Sequence, residues 1–415
     1  MTKVYKNKAF MFILSSHFIH KIGEALYDLA IPLLILYATG SSVLMGTMYA
    51  LGFMAEFLVG FFGGSIIDSV NRKKLLITIS LLQTLFISIL PLSANLGFFN
   101  VIFIFVVAFI LDMCIALYRI VDISIVPQLL DKKELPQANG YMQMAISSAE
   151  AVGPAISGLL IAIAGLFGSL WINVGTFLLL LSTLSLIRYQ TIEQKTGVSN
   201  PKQIWSSSVE GLLYTLKNKL FRTILIWNLF VNFGLSGAVL MILFHVKEVI
   251  GLSSTEIGLV MTMSAIGGII SGLIFSRIQS MFNSGRLLLV SSLVVSLALF
   301  SFPFQIHWFF AGTSVCVLMF SIGINSRLIH MLFQLNVPDN MLGRVLSASR
   351  LISTMLAPLS VMIAGWITEV YQSTYVFAGG GVIIVLSTLI AFTTKLKSAN
   401  WGIKQSSLSQ ETSAP

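Results

Sequence analysis

The sequence predicts a membrane protein built entirely of helices, with twelve transmembrane spans in two pseudo-symmetric six-helix bundles. Three observations predict it. First, 56% of the 415 residues are hydrophobic and only 10% are charged, against about 25% charged in a soluble domain. Second, apolar runs of about 20 residues recur along the whole chain, each long enough to cross ~30 Å of hydrocarbon as a helix. They do not alternate as the strands of a transmembrane barrel do. Third, Lys and Arg gather in alternate connections between the runs, as cytoplasmic loops do.

The first six spans lie near 10–37, 43–67, 74–93, 99–126, 137–164 and 168–187. The second six lie near 220–246, 254–276, 286–303, 307–330, 342–367 and 373–394. The first run holds charges in its middle, lacks a small-residue cleavage site and continues into further spans, so it reads as a span and not a signal peptide. This divides the chain into a first bundle (1–187), a polar linker (188–219), a second bundle (220–397) and a Ser-rich tail (398–415). The end of the linker, WSSSVEGLLYTLKN, suits an amphipathic helix on the membrane surface.

Basic residues fall at Lys3, Lys6 and Lys8, at Arg72, Lys73 and Lys74, and at Lys132 and Lys133. They recur from Arg188 to Arg222, at Arg277 and Arg286, at Arg344, and at Lys395, Lys397 and Lys404; Lys247 is the exception. This pattern puts both termini in the cytoplasm of a multi-pass cell-membrane protein. The net charge of +9 then orients the chain and attracts anionic lipid, not nucleic acid. Cys114 and Cys316 lie inside apolar spans and read as small core residues.

A shift of about 212 residues brings SSVLMG (41–46) onto SSTEIG (253–258), Gly60 onto Gly272, and KLL (74–76) onto RLL (286–288). Such a repeat makes the second bundle a copy of the first, with a substrate path expected between them near the bilayer midplane.

Two segments carry motifs. In GGSIIDSVNRKKLL (63–76), Gly60 and Gly64 permit close helix approach. Asp68 closes the span, and Arg72, Lys73 and Lys74 follow. An acid at a helix end beside basic residues can pair across a short loop or cap a neighbouring helix. In GYMQMAISSAEAVGPAISG (140–158), Pro154 removes a helix hydrogen bond, and Gly140, Ala149, Gly153, Ser157 and Gly158 are all small, which suits a kink and close packing.

These segments resemble the major facilitator superfamily. Gly64, Asp68, Arg72 and Lys73 are similar to its signature after the second span, with Asn71 and Ser69 departing from it. The resemblance implies a cytoplasmic latch that holds the outward-open state closed on the inside. In the repeat Asp68 falls on Ser280 and Arg72 on Ser284, so the latch is one-sided. Gly140, Gly153, Pro154 and Gly158 resemble the antiporter motif of the superfamily's drug exporters, which implies export in exchange for protons. IHKIGEALYDLAIPLLILYATGSS resembles the first span of the macrolide-efflux-like subgroup, with Gly23 and Glu24 at its Gly-acid pair. IVPQLLDKKELPQANG and VPDNMLGR fit the same subgroup.

Charges inside spans cost about 2.5–3.5 kcal/mol each and mark function by default. His17, Lys21, Glu24 and Asp28 are spaced four, three and four apart and share one helix face, with His20 beside it. Such a stripe is expected to face the cavity between the halves. Lys21 can neutralise Glu24; Asp28 has no obvious partner. His17 and His20 lack the further ligands that a metal site needs. Span four holds Asp112, Arg119 and Asp122, and Arg119 is a partner for Glu24 or Asp28 across the bundle. Glu150 and Glu56 are further candidates, while Arg327 and Arg350 suit headgroup contact. The repeat of the opening stripe, LFVNFGLSGAVL (229–240), has no charge, so Asn228, Asn232 and Phe233 would supply a neutral lining.

No nucleophile–base set, phosphate-binding loop or metal cluster appears, so an enzyme and an ATP-driven pump are not expected. The expected function is a proton-coupled antiporter that exports amphipathic or hydrophobic small molecules by alternating access. A lipid or lysophospholipid flippase and a siderophore or peptide exporter are the alternatives. The expected partners are the small-molecule substrate, protons and membrane lipids, with the proton gradient in place of a cofactor and the chain acting as a monomer.

Overall fold

A computed structural model of the chain describes residues 7–69, 71–97, 100–125, 134–186, 210 and 212–399. Among them there is no strand. The helices are α1 (Lys8–Thr39), α2 (Ser42–Ser69), α3 (Arg72–Asn95), α4 (Val101–Ile125), α5 (Leu135–Leu186) and α6 (Lys219–Phe244). They continue with α7 (Ser254–Met281), α8 (Ser284–Ser301), α9 (Trp308–Asn336), α10 (Asp339–Thr354), α11 (Ala357–Val370) and α12 (Ser373–Phe392). A π-turn, His245–Val249, extends α6. Among the described residues eleven stretches are long and apolar enough to cross a bilayer, one of them lying on α5. Gly165 adopts φ 71°, ψ 175° and divides α5 into two arms, which gives the twelve spans of an all-α membrane protein.

Local chemistry explains where the helices end. Asn7 caps α1, its side chain accepting the Phe10 N–H at 3.2 Å. Gly40 closes the same helix at φ 66°, a conformation costly for residues with a Cβ, and donates its N–H to Leu36 O at 2.8 Å. Asn71 caps α3 by accepting from Lys73 N–H at 3.0 Å and Lys74 N–H at 3.2 Å. That role accounts for an asparagine at this loop position.

The eleventh span differs from expectation. The sequence suggests one helix over 342–367; the structure has α10 and α11, broken at Met355 and Leu356. Pro358 has no N–H, and its ring would collide with the carbonyl of Thr354, so α10 stops there. Pro154, by contrast, sits within the continuous first arm of α5.

By contacts the chain falls into two compact units, Met1–Pro201 with Leu243–Ala265, and Lys202–Ile242 with Ile266–Pro415. In the first, α1 lies along α5, α2 along α4, and α3 against both α4 and α5. Phe10, Ile13, Leu76, Tyr118, Met142 and Leu180 belong to the core joining α1, α3, α4 and α5. In the second, α8 packs on α9 and α12, and α11 on α12. Cross-helix hydrogen bonds reinforce it: Trp227 Nε1 donates to Thr388 Oγ1 at 3.2 Å, and Asn325 Nδ2 to Ser292 Oγ at 2.9 Å. Most of the linker, 187–209, and the tail from 400 onward lie outside the described residues.

Candidate functional site

The site is built on α1, α2 and α4 of the first unit. Glu24 is four per cent exposed and so needs compensation for its charge. Lys21, one turn earlier, donates from Nζ to Glu24 Oε2 at 2.5 Å. Arg119 arrives from α4 and donates to Glu24 Oε1 through both Nε, at 2.8 Å, and Nη2. Its remaining arm, Nη1, reaches Glu56 Oε1 on α2. One guanidinium thus ties three helices together, a task suited to its rigid fork of donors. The carboxylates differ in setting: Glu24 is buried and Glu56 is exposed.

Beside this bridge lies a cavity of about 150 Å³. Its polar lining is Asp28, Glu56, Asp112 and Arg119, and its aromatic walls are Tyr27, Tyr49 and Phe53. Tyr27 also fixes α1 to α4, its hydroxyl donating to Ala108 O at 3.0 Å. Gly52 keeps α2 open to Asp112: a Cβ there would stand 3.2 Å from Asp112 Oδ2.

The α1 stripe therefore divides by position. Lys21 and Glu24 join the bridge, while Asp28 opens into the cavity. Arg119, and not Asp28, is the partner of Glu24. His20 is fully buried, 3.9 Å from the Tyr118 ring and 5.6 Å from Phe177 by centroid, and does not line this cavity. The side chains of Asp122 and Glu150 lie outside the described residues. Glu56, a secondary candidate from sequence, is a member of the bridge. Tyr27, Tyr49, Gly52 and Phe53 carried no signal in the sequence, because aromatic and small residues in apolar spans look like ordinary packing.

In the motif segments, Gly64 and Asp68 fall near the end of α2 and Arg72 opens α3; the side chains of Asp68 and Arg72 lie outside the described residues, and Lys73 follows in the first turn of α3. On α5, Gly153 faces α1, where a Cβ would meet Ala25 Cβ at 2.7 Å, and Gly158 meets the backbone of Gly258. Pro154 lies between them along the same helix, and Gly140 is exposed near its start. In the second unit the neutral amides bond internally: Asn232 Nδ2 donates to Asn228 Oδ1 at 3.0 Å, and Asn228 Nδ2 to Ser353 Oγ at 2.9 Å. Arg327 Nη1 donates to Ser271 Oγ at 2.8 Å and Gly323 O at 2.9 Å. Among the described residues no group of three or more His, Cys, Asp and Glu is arranged to hold a metal ion.

The chain's relatives and fold neighbours are membrane transporters, not enzymes. Residues 13–360 match the family model of the Major Facilitator Superfamily, and the chain belongs to that superfamily. It is 24% identical over 378 residues to macrolide efflux protein A of Streptococcus pyogenes, covering 89% of this chain and 91% of the relative. It is 24% identical over 345 residues to the enterobactin exporter EntS of Shigella boydii serotype 4, covering 81% of this chain and 80% of the relative. A bacterial homologue of the iron transporter ferroportin, solved in an inward-facing state, has the same fold, with a TM-score of 0.71 at 17% identity, covering 96% of this chain and all of that one.

Proposed function

We propose that the protein is a proton-coupled antiporter of the cell membrane that exports amphipathic or hydrophobic small molecules by alternating access. The observation that carries this reading is the three-helix bridge: Glu24, buried on α1, shares Arg119 with Glu56 on α2. Neutralising Glu24 with a proton removes its hold on Arg119 and leaves the guanidinium to Glu56 alone. A proton therefore binds one arrangement of α1, α2 and α4 better than another, and only such differential binding moves a conformational equilibrium. The proton gradient supplies the energy. The two relatives are named for macrolide efflux and enterobactin export, which supports outward transport of small organic molecules. The resemblance of Gly140, Gly153, Pro154 and Gly158 to the antiporter motif supports the same direction. The positive-inside pattern supports cytoplasmic termini, and the protein acts as a monomer in contact with membrane lipid.

The test is efflux from intact cells and from inverted vesicles, with and without an uncoupler. The uncoupler is expected to abolish export, and Glu24→Gln to lower it at least about tenfold while protein remains in the membrane. Export that survives both treatments would overturn the coupling.

A further inference from the structure

The second unit carries an intramembrane cation of its own. Arg327 lies about as far along α9 from Trp308 as Arg119 lies along α4 from Val101. Each guanidinium reaches the second span of its own half: Arg119 meets Glu56 on α2, and Arg327 meets Ser271 on α7. The acceptors differ in charge. Arg119 serves two carboxylates. Arg327 Nη1 donates to Ser271 Oγ at 2.8 Å and to Gly323 O at 2.9 Å, both neutral. Its Nε and Nη2 donate to nothing among the described residues. The acids of this unit are Glu210, Asp339, Glu369 and Glu411. They fall in the linker, at helix ends or in the tail, so none stands inside a span to neutralise Arg327.

The surroundings keep that guanidinium open. Gly323, Arg327, His330 and Gln334 are spaced four, three and four apart and share one face of α9. His330 and Gln334 are exposed and Arg327 is half-buried. Charged and imidazole side chains inside spans face water-filled space and not lipid. Glycine clears room on both sides: a Cβ at Gly272 would stand 3.0 Å from Arg327 Nη2, and one at Gly323 2.8 Å from Nη1. The free edge, Nε with Nη2, is the fork that grips a carboxylate or phosphate through two parallel hydrogen bonds. His330, one turn further on, adds an imidazole donor to the same face. Depth separates the two sources of such an oxyanion. Arg327 precedes Asn336, the end of α9, by about 13 Å at ~1.5 Å per residue. A lipid phosphate would have to leave the headgroup layer to follow it inward, whereas a dissolved carboxylate reaches it through water.

We infer that Arg327, with His330 beside it, forms an oxyanion-binding site in the second unit that takes the carboxylate of an amphipathic acid, and that such acids are cargo. The second clause rests on the export reading above; the first does not. Selectivity follows from the fork: a carboxylate offers two acceptors to Nε and Nη2, while an amide of the same shape turns an NH₂ donor toward one of them.

The test uses the purified full-length chain in a neutral detergent and two probes of equal shape: benzoate, and benzamide, its uncharged isostere. Benzoate binding by titration calorimetry is expected, with benzamide at least about tenfold weaker. Arg327→Gln is expected to weaken benzoate about tenfold and His330→Ala several-fold. Arg327→Lys should keep part of the binding, since the charge stays and the fork is lost, which separates loss of charge from loss of fold. In nanodiscs, benzoate affinity should be the same with phosphatidylglycerol as with phosphatidylcholine. Benzoate displaced by phosphatidylglycerol alone would assign Arg327 to a lipid phosphate and overturn the carboxylate site. Equal binding of benzoate and benzamide, or benzoate binding indifferent to Arg327→Gln, overturns it too. Uncoupler-sensitive efflux of uncharged compounds would then leave the export reading standing. Benzoate binding that follows Arg327, in a protein showing no efflux, keeps the site and overturns the export reading.

Discussion

Arg119 is the residue on which the site depends. Its guanidinium makes three donations to two carboxylates on two other helices. Removing one partner of a buried pair leaves the other charge uncompensated, at a cost of about 3–5 kcal/mol. Arg119→Ala is therefore expected to lower the thermal midpoint of the purified protein markedly. Arg119→Lys should recover only part of the loss, since one ammonium cannot fork between Glu24 and Glu56. The double variant Arg119→Leu with Glu24→Gln should be more stable than Arg119→Leu alone, because it removes the most deeply buried charge, Glu24, and the partner this costs Lys21 lies nearer the solvent; thermal unfolding monitored by fluorescence decides this. At this scale the sequence showed which residues were costly to bury. It offered Arg119 as a partner for Glu24 or Asp28 without deciding between them: Glu24 and Arg119 are 95 residues apart, and their pairing follows from how α1 and α4 rotate against each other.

At the scale of elements, helix contacts in a bilayer rest on close packing, because lipid is as apolar as the side chains it would replace. Gly153 is an example, with α5 pressed so near α1 that any Cβ would meet that of Ala25. Gly153→Leu is expected to destabilise the first unit, and Ala25→Gly in the same chain should restore part of the loss. An absence of rescue would mean that the glycine serves something other than this contact. The small residues of 140–158 were visible as a pattern, but the pattern did not name α1 as the surface they meet. The break between α10 and α11 was missed for a related reason. Proline is tolerated inside α1, α3 and α5, so Pro358 could not be told apart until its neighbours' hydrogen bonds were known.

At the scale of the molecule, the positive-inside rule applied to Lys and Arg predicts how the chain is threaded through the membrane. Single cysteines introduced at Lys3 and at Ser413, with Cys114 and Cys316 replaced, should react with an impermeant maleimide only after cells are opened. One at Ser41, in the first connection, should react in intact cells. Labelling of either terminus from outside would overturn the orientation. The number and type of spans were legible because each had to satisfy its backbone inside itself, and only an apolar helix does so. The division at Gly165 was legible too, since the apolar run there is too long for one crossing.

The sequence by itself determined that this chain is a twelve-span helical membrane protein, which face of its first helix carries charge, and that the repeat of that stretch in the second half carries none. Length, hydrophobicity and helical period are local properties, so no tertiary knowledge was needed. Only the tertiary structure decided that Arg119 serves Glu24 and Glu56 together, that Asp28 is left to the cavity, and that His20 is enclosed among rings. These are outcomes of helix rotation and crossing, set by many weak packing contacts that no single span records.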